Sequence, residues 1–201
     1  MFHVKLEGLT AALTESQLAQ LRHYEQLLAS RAVPMGFVSS GDSGRLWERH
    51  ILDSLRAVRC IRSAESLVID LGSGAGLPGI PIAVARPGLR MVLVEPKSRR
   101  AAFLEMVVES LALSNLEVMA TEASALRLHA HLCLARALAP PVRSWKLAAP
   151  LLLAEGRLAY WAGRSWGPSD VEDMRAAGVR SEICARGVLA WQGPIVMMER
   201  L

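Results

Sequence analysis

The segment Asp70-Leu-Gly-Ser-Gly-Ala-Gly-Leu-Pro-Gly79 sets a carboxylate and four glycines at the end of an apolar run, Leu67-Val-Ile-Asp-Leu71. A strand that ends in glycines and opens into a helix lets backbone N–H groups approach a ligand closely. Two spacings overlap here. Asp70, Gly72, Gly74 and Gly76 form D-x-G-x-G-x-G, while Gly74, Gly76 and Gly79 satisfy the dinucleotide fingerprint G-x-G-x-x-G. A carboxylate at the strand mouth would repel a pyrophosphate and would help to hold the ammonium of S-adenosyl-L-methionine, directly or through water. Glu95 ends the next apolar run, 19 residues after Gly76, where an acidic residue can bind both ribose hydroxyls of either cofactor. The expected cofactor is S-adenosyl-L-methionine. An NAD(P)-dependent oxidoreductase is the alternative, and a tight turn beside a solvated strand end is the reading without chemistry.

Outside the loop, Arg136 closes an apolar run at 131–136, at the strand end where ligands gather in open α/β sheets. In a helix over 43–60, Trp47, Ile51, Leu55 and Val58 share one face, and Arg45, Arg49, Arg56 and Arg59 share another. The arginine face suits RNA phosphates. It also reads as an ordinary solvated face, with Arg49 paired to Asp53 at i, i+4. His50 lies between the two faces, either as a structural hydrogen bonder or as a functional group alongside Arg136. Lys97, Arg99 and Arg100 make a second basic group. Trp145, Trp161, Trp166 and Trp191 have rings that can stack on bases, but packing is the simpler expectation for them. No set of residues has metal-ligand spacing, so no metal is expected.

The elements that must position these groups follow from periodicity. Thr14-Glu-Ser-Gln17 has capping-box form and starts a helix with a stripe of Leu18, Leu21 and Leu28, running to Ser30. Residues 31–42 are turn-rich. From Ser66 the rhythm is strand, loop, helix: strands at 67–71, 91–95, 116–120, 131–136 and 157–161, with helices from Pro78 to Arg86 and over 97–112. The segments 179–185 and 194–200 are read as an antiparallel hairpin at one edge. The pattern predicts an α/β, doubly wound, Rossmann-like sheet. Residues 1–65 are expected as an N-terminal helical cap on a cofactor-binding domain over 66–201, the two forming one compact unit.

Bulk properties bound the answer. The chain has 201 residues, 52% of them apolar, enough for one α/β domain with a sizeable core. No apolar stretch approaches the roughly 20 residues of a spanning helix, and Met1 to Glu7 lack the form of a signal peptide. Cys60, Cys133 and Cys184 are read as reduced thiols of a cytoplasmic protein. The net charge is +4, and 20 of the 23 basic residues are arginines, which permits an anionic partner without requiring one.

Glu48-Arg-His-Ile-Leu-Asp-Ser-Leu55 together with Asp70-Leu-Gly-Ser-Gly-Ala-Gly-Leu-Pro-Gly-Ile-Pro-Ile82 resembles one bacterial family, the small-subunit rRNA guanine-N7 methyltransferases, also known as glucose-inhibited division protein B. Lys97-Ser-Arg-Arg100 with Phe103-Leu104, Leu113-Ser-Asn115 and Ala135-Arg-Ala137 fall in register with it. The resemblance implies a class I methyltransferase fold and transfer of a methyl group from S-adenosyl-L-methionine to guanine N7 in the decoding-region loop of 16S rRNA. It places Gly72 and Leu77 on the methionine and ribose side, Ala123 and Ser124 beside the adenine, and Arg136 near the methyl-transfer end. Guanine N7 has a free lone pair and no proton, so no general base is needed. The implied partner is 16S rRNA in the small ribosomal subunit, with no membrane, and a monomer is expected. The sequence departs from the family pattern at Pro34-Met-Gly36, Thr121-Glu-Ala-Ser124 and Ala135-Arg-Ala-Leu138. Those departures leave a second alternative, a non-catalytic RNA-binding or ribosome-assembly factor that retains the fold.

Overall fold

The structure, a computed structural model, describes residues 8–187, 189 and 191–201. Met1 to Glu7, the segment whose composition argues against a signal peptide, lies outside the described residues. Alternation along the strands organises everything that follows. In β1 (Leu67–Leu71), Val68 packs to one side of the sheet and Ile69 and Leu71 to the other. The same alternation holds in β2 (Arg90–Val94) for Met91 and Leu93 against Val92 and Val94. In β4 (Ala130–Arg136), Leu132 and Leu134 face the first side, and Cys133 and Ala135 the second.

With β3 (Leu116–Met119), β5 (Leu152–Trp161), β6 (Val179–Ala185) and β7 (Ile195–Arg200), the strands form one seven-stranded sheet of order β3-β2-β1-β4-β5-β7-β6. The first five are parallel, and β7 runs antiparallel to both β5 and β6. The doubly wound sheet and its antiparallel edge hairpin are as expected. The winding reverses between β1 and β4, so the crevice at their carboxyl ends is where a ligand belongs.

The first side of the sheet is covered by α1 (Glu15–Leu27), by the segment 40–60, by α3 (Gly79–Ala85) and by α4 (Ser98–Ser110). The second side is covered by α5 (Pro141–Ala148) and α6 (Pro168–Ala176), neither of them in the sequence-based expectation. Both open with proline at the first helical position, a start signal the sequence does carry. The capping box of α1 forms as read, with Gln17 N donating to Thr14 Oγ1 at 3.2 Å and Thr14 N to Gln17 Oε1 at 2.9 Å.

The helix expected over 43–60 is corrected. It begins at Ser40 and is a rod of four stretches with three pitches: a 3₁₀ stretch Ser40–Arg45, a π-helical stretch Trp47–Leu52, a single α turn α2 (Asp53–Leu55) and a 3₁₀ stretch Arg56–Cys60. Foreign donors explain the irregularity. The Arg49 carbonyl accepts from Arg136 Nη2 at 3.1 Å, and the His50 carbonyl accepts from Ser54 Oγ at 2.6 Å. Carbonyls engaged from outside the i→i+4 ladder shift its pitch.

A change of pitch rotates the side chains off the expected faces. Arg56 is only 2% exposed: it pairs with Asp53 and donates to the carbonyls of Ala185 at 3.3 Å and Gly193 at 2.8 Å. Its expected place on a phosphate-facing stripe is therefore corrected. Arg49 pairs with Asp42 at 2.9 Å, not with Asp53.

The cysteine expectation is corrected as well. Cys60 and Cys184 form a disulfide that joins the end of the rod to β6, across 124 residues of sequence. That separation is what hides the pair from the sequence. Cys133 is a buried free thiol, and burial pushes its pKa up. Among the described residues no helix is long and apolar enough to cross a membrane.

Candidate active site

The glycine loop is fixed by its backbone. Gly72 N and Ser73 N both donate to the Val94 carbonyl, at 2.9 and 3.1 Å, which ties the loop to the end of β2. Gly72, Gly74 and Gly76 have φ of +67°, +62° and +95°, a region that L side chains adopt only under strain. The glycines differ in what surrounds them. A Cβ at Gly76 would strike Ile80 and Leu104, and one at Gly79 would strike Leu93 and Asp70. At Gly74 the nearest atom would be 3.8 Å away, so this side of the loop is open.

Glu95, 2% exposed, clasps the loop: Oε2 accepts from Gly74 N at 3.0 Å and Oε1 from Lys97 N at 3.0 Å. Asp70 is placed differently from the expectation. Alternation from Val68 turns its side chain to the first face, beneath α3, where Oδ2 accepts from Gly79 N at 3.1 Å. It is 1% exposed, and burial drives its pKa from 3.8 up to about 7 against the opposing hydrogen bond from Gly79. Asp70 Oδ1 has no partner. The carboxyl braces the loop from behind instead of standing at its mouth.

Tyr24 of α1, which the sequence reading does not single out, braces the loop from that helix. Its buried hydroxyl donates to the Ala75 carbonyl at 2.8 Å, and burial pushes its pKa well up. A contact between residues 51 apart leaves no local signal in the sequence.

Arg136 continues the stripe of Leu132 and Leu134 and therefore meets the rod. Its Nη2 donates to the Arg49 carbonyl at 3.1 Å and to His50 Nδ1 at 3.0 Å, and lies 3.7 Å from Asp53 Oδ2. Since a guanidinium only donates, His50 Nδ1 accepts, and Nε2 carries the proton toward Asp42 Oδ2 at 3.1 Å. Burial, helped by Arg136, holds the His50 pKa below its usual value and keeps this neutral tautomer. Burial also lowers the pKa of Arg136, opposed by Asp53. His50 is thus a link in a chain Asp42–His50–Arg136.

Three cavities open at the carboxyl ends of the strands. One of about 310 Å³ lies between Gly72, Gly74 and Leu77 of the loop, Phe37, and His50 and Arg136. A second of about 340 Å³ is bounded by Glu95, Lys97, Arg100, Ala123, Ser124 and Leu138. A third of about 380 Å³, beyond Arg136, has walls from Asp53, Tyr160, Trp161 and Trp191. Ala137 lines all three, and its φ of +52° turns the chain out of β4 to make room for them.

The structure therefore brings Gly72, Gly74, Leu77, His50 and Arg136 together around one cavity, and Glu95, Ala123, Ser124, Lys97 and Arg100 around its neighbour. Gly76 and Asp70 stand behind these walls as supports. Arg45 and Arg59 are exposed, and Arg45 lies 5.8 Å from the centre of the Trp191 ring. Trp145 and Trp161 are buried, and Trp166 packs against Tyr160. Asp53, Ala137 and Tyr160 are site residues that the sequence reading does not single out.

The family pattern described as "GidB: rRNA small subunit methyltransferase G" matches residues 17–186. The chain is 34% identical over 207 residues to "Ribosomal RNA small subunit methyltransferase G" of Mycobacterium marinum, covering 97% of this chain and 90% of that protein. It is 38% identical over 179 residues to the protein of the same name from Rhodococcus jostii, covering 82% and 78%. Among solved structures it resembles a ribosomal protein L11 methylase from Lactobacillus delbrueckii subsp. bulgaricus, with TM-score 0.61, 12% identity and coverage of 76% and 78%. It also resembles TYW2 of M. jannaschii, solved in complex with AdoMet, with TM-score 0.57, 14% identity and coverage of 78% of each chain. A pattern matched over 17–186, and a relative alike over nearly the whole chain, give the conclusion: this protein belongs to the rRNA small subunit methyltransferase G family, on a class I methyltransferase sheet.

Proposed function

We propose that this protein transfers the methyl group of S-adenosyl-L-methionine to N7 of a guanine in the decoding-region loop of 16S rRNA, acting on the small ribosomal subunit as a cytoplasmic monomer. The observation that carries the reading is the meeting of three cavities at Ala137 in a chain of this family. The first two cavities are each within the size of small-ligand sites, and their donor set suits the cofactor. Glu95 offers a carboxylate to the ribose hydroxyls, Ala123 and Ser124 flank a slot for the adenine, and the open side of Gly74 lets the methionine approach the backbone. Asp70, held behind the loop, supports the backbone that meets the cofactor rather than contacting its ammonium directly.

The cofactor supplies an electrophilic methyl on a sulfonium. The N7 lone pair forms the new N–C bond as the S–C bond breaks, sulfur keeps that electron pair, and the positive charge passes to the base. No proton moves, so alignment and exclusion of water are what the protein must provide. Arg136, locked by the rod carbonyls and His50, forms the partition between cofactor and acceptor sides. Arg45 and Arg59, both exposed, and Lys97 and Arg100, which line the second cavity, would meet phosphates.

Small subunits from cells lacking the modification, incubated with the protein and methyl-labelled S-adenosylmethionine, are expected to yield label in one N7-methylguanine of the decoding-region loop. Label in another base, in protein or in a small molecule would overturn the proposal. So would normal subunit binding without turnover at saturating cofactor.

A further inference from the structure

We propose that the third cavity is the acceptor-base pocket and that Asp53 reads the Watson–Crick edge of the guanine. This rests on the guanine-N7 reading above and adds the site that selects the base. Aromatic lining and a single carboxylate make the case. Tyr160, Trp161 and Trp191 give the cavity aromatic walls against which a splayed-out base can stack. Its volume of about 380 Å³ is of the size that small planar ligands occupy. It shares Arg136 and Ala137 with the cavity beside the glycine loop, so a base seated there is next to the cofactor side.

Asp53 is the one carboxylate on this cavity's walls among the described residues. Its two oxygens are not equivalent. Oδ1 is taken by Arg56, which is itself anchored to the carbonyls of Ala185 and Gly193. Oδ2 lies 3.7 Å from Arg136 Nη2, beyond hydrogen-bond distance, and no described residue donates to it. A carboxylate oxygen fixed in place with open lone pairs is an acceptor waiting for a donor.

Guanine offers adjacent donors at N1 and at its 2-amino group, whereas adenine presents an acceptor at N1 and has no 2-amino group. Those donors lie across the purine from N7, so one wall can hold them while another presents N7. The contact also changes during the reaction. As N7 takes the methyl group the ring becomes cationic and its N1–H and amino protons become stronger donors. The bond to Asp53 is then stronger at the transition state than in the bound substrate, which lowers the barrier and not merely KM.

The test replaces the mapped target guanine by inosine, which lacks only the 2-amino group and keeps N7, in small subunits reconstituted with ligated 16S rRNA. With the wild-type protein, kcat/KM is expected to fall at least tenfold on inosine. Asp53→Asn is expected to lower activity on guanine and to bring the guanine-to-inosine ratio close to one, with affinity for S-adenosylhomocysteine retained. Both substrates meet the same altered scaffold, so a purely structural role for Asp53 would leave the ratio unchanged and overturn the proposal. Equal wild-type rates on guanine and inosine would overturn it too. Should Asp53→Asn not fold, Asp53→Glu carries the same test: a displaced carboxylate lowers the ratio, and an unchanged ratio contradicts the assignment. Absence of N7-methylguanine from natural subunits would instead sink the guanine-N7 reading, whatever the inosine ratio.

Discussion

The glycine loop and the rod at 40–60 meet at the same crevice but are held in opposite ways. The loop is held by its backbone: three glycines at positive φ, two amides on the Val94 carbonyl, and room for no Cβ at Gly76 or Gly79. The rod is held by side chains arriving from far along the sequence. Arg136 enters from β4, and Arg56 leaves the rod to reach carbonyls more than a hundred residues away. A backbone-held element can be read from its residue types, because glycine is needed wherever φ is positive. A side-chain-held element can be read only when its partners are known.

The largest way to break this contrast is in the rod. Arg56→Met leaves Asp53 without its buried partner and is expected to cost about 3–5 kcal/mol in urea unfolding. A loss below 1 kcal/mol would return Arg56 to the surface stripe. In the loop the expected effects separate by position. Gly76→Ala meets Ile80 and Leu104 at positive φ and should cost about 2–4 kcal/mol. Gly74→Ala meets nothing closer than 3.8 Å and should cost only about 1–2 kcal/mol, from backbone strain. Calorimetry should nonetheless show at least tenfold weaker binding of S-adenosylhomocysteine to Gly74→Ala, because its Cβ stands on the open side. Equal stability losses at both glycines would contradict the distinction.

Asp70 gives a smaller effect with a definite sign. Its folded-state pKa of about 7 lies above the ordinary 3.8, so the stability it contributes is full below that ordinary value and is lost as pH rises through about 7. Asp70→Asn should flatten the decline in urea midpoint over that window, and an unchanged pH profile would place the carboxyl in water. The smallest change in stability belongs to Arg45→Ala and Arg59→Ala. Both are exposed and should leave the midpoint in place, while the salt slope of RNA binding falls by about one for each phosphate no longer neutralised. An unchanged slope would make them solvated surface.

How much was legible follows the same line. The sheet, its hairpin, the capped first helix and the loop were all readable, because alternation, capping chemistry and glycine spacing are local. Glu95 was readable as a strand-end carboxylate. Asp70 was found, but its direction was not, although counting by two from Val68 already turns it beneath α3. The rod misled because a helical wheel assumes one pitch, and carbonyls engaged by Arg136 and Ser54 give it several. Tyr24, Asp53 and the Cys60–Cys184 bridge stayed hidden because each acts on residues brought near only by the fold.

The central claim is that the two cavities beside the glycine loop hold the cofactor and that the third receives the base, with Ala137 between them. A crystal structure with S-adenosylhomocysteine tests this directly. The account predicts adenine between Glu95 and Ser124, the amino-acid end along Gly72–Gly74, and the sulfur nearest Ala137, with the Trp161 cavity free of ligand. Density for the molecule in the cavity of Asp53 and Trp161, or away from Glu95, would contradict it.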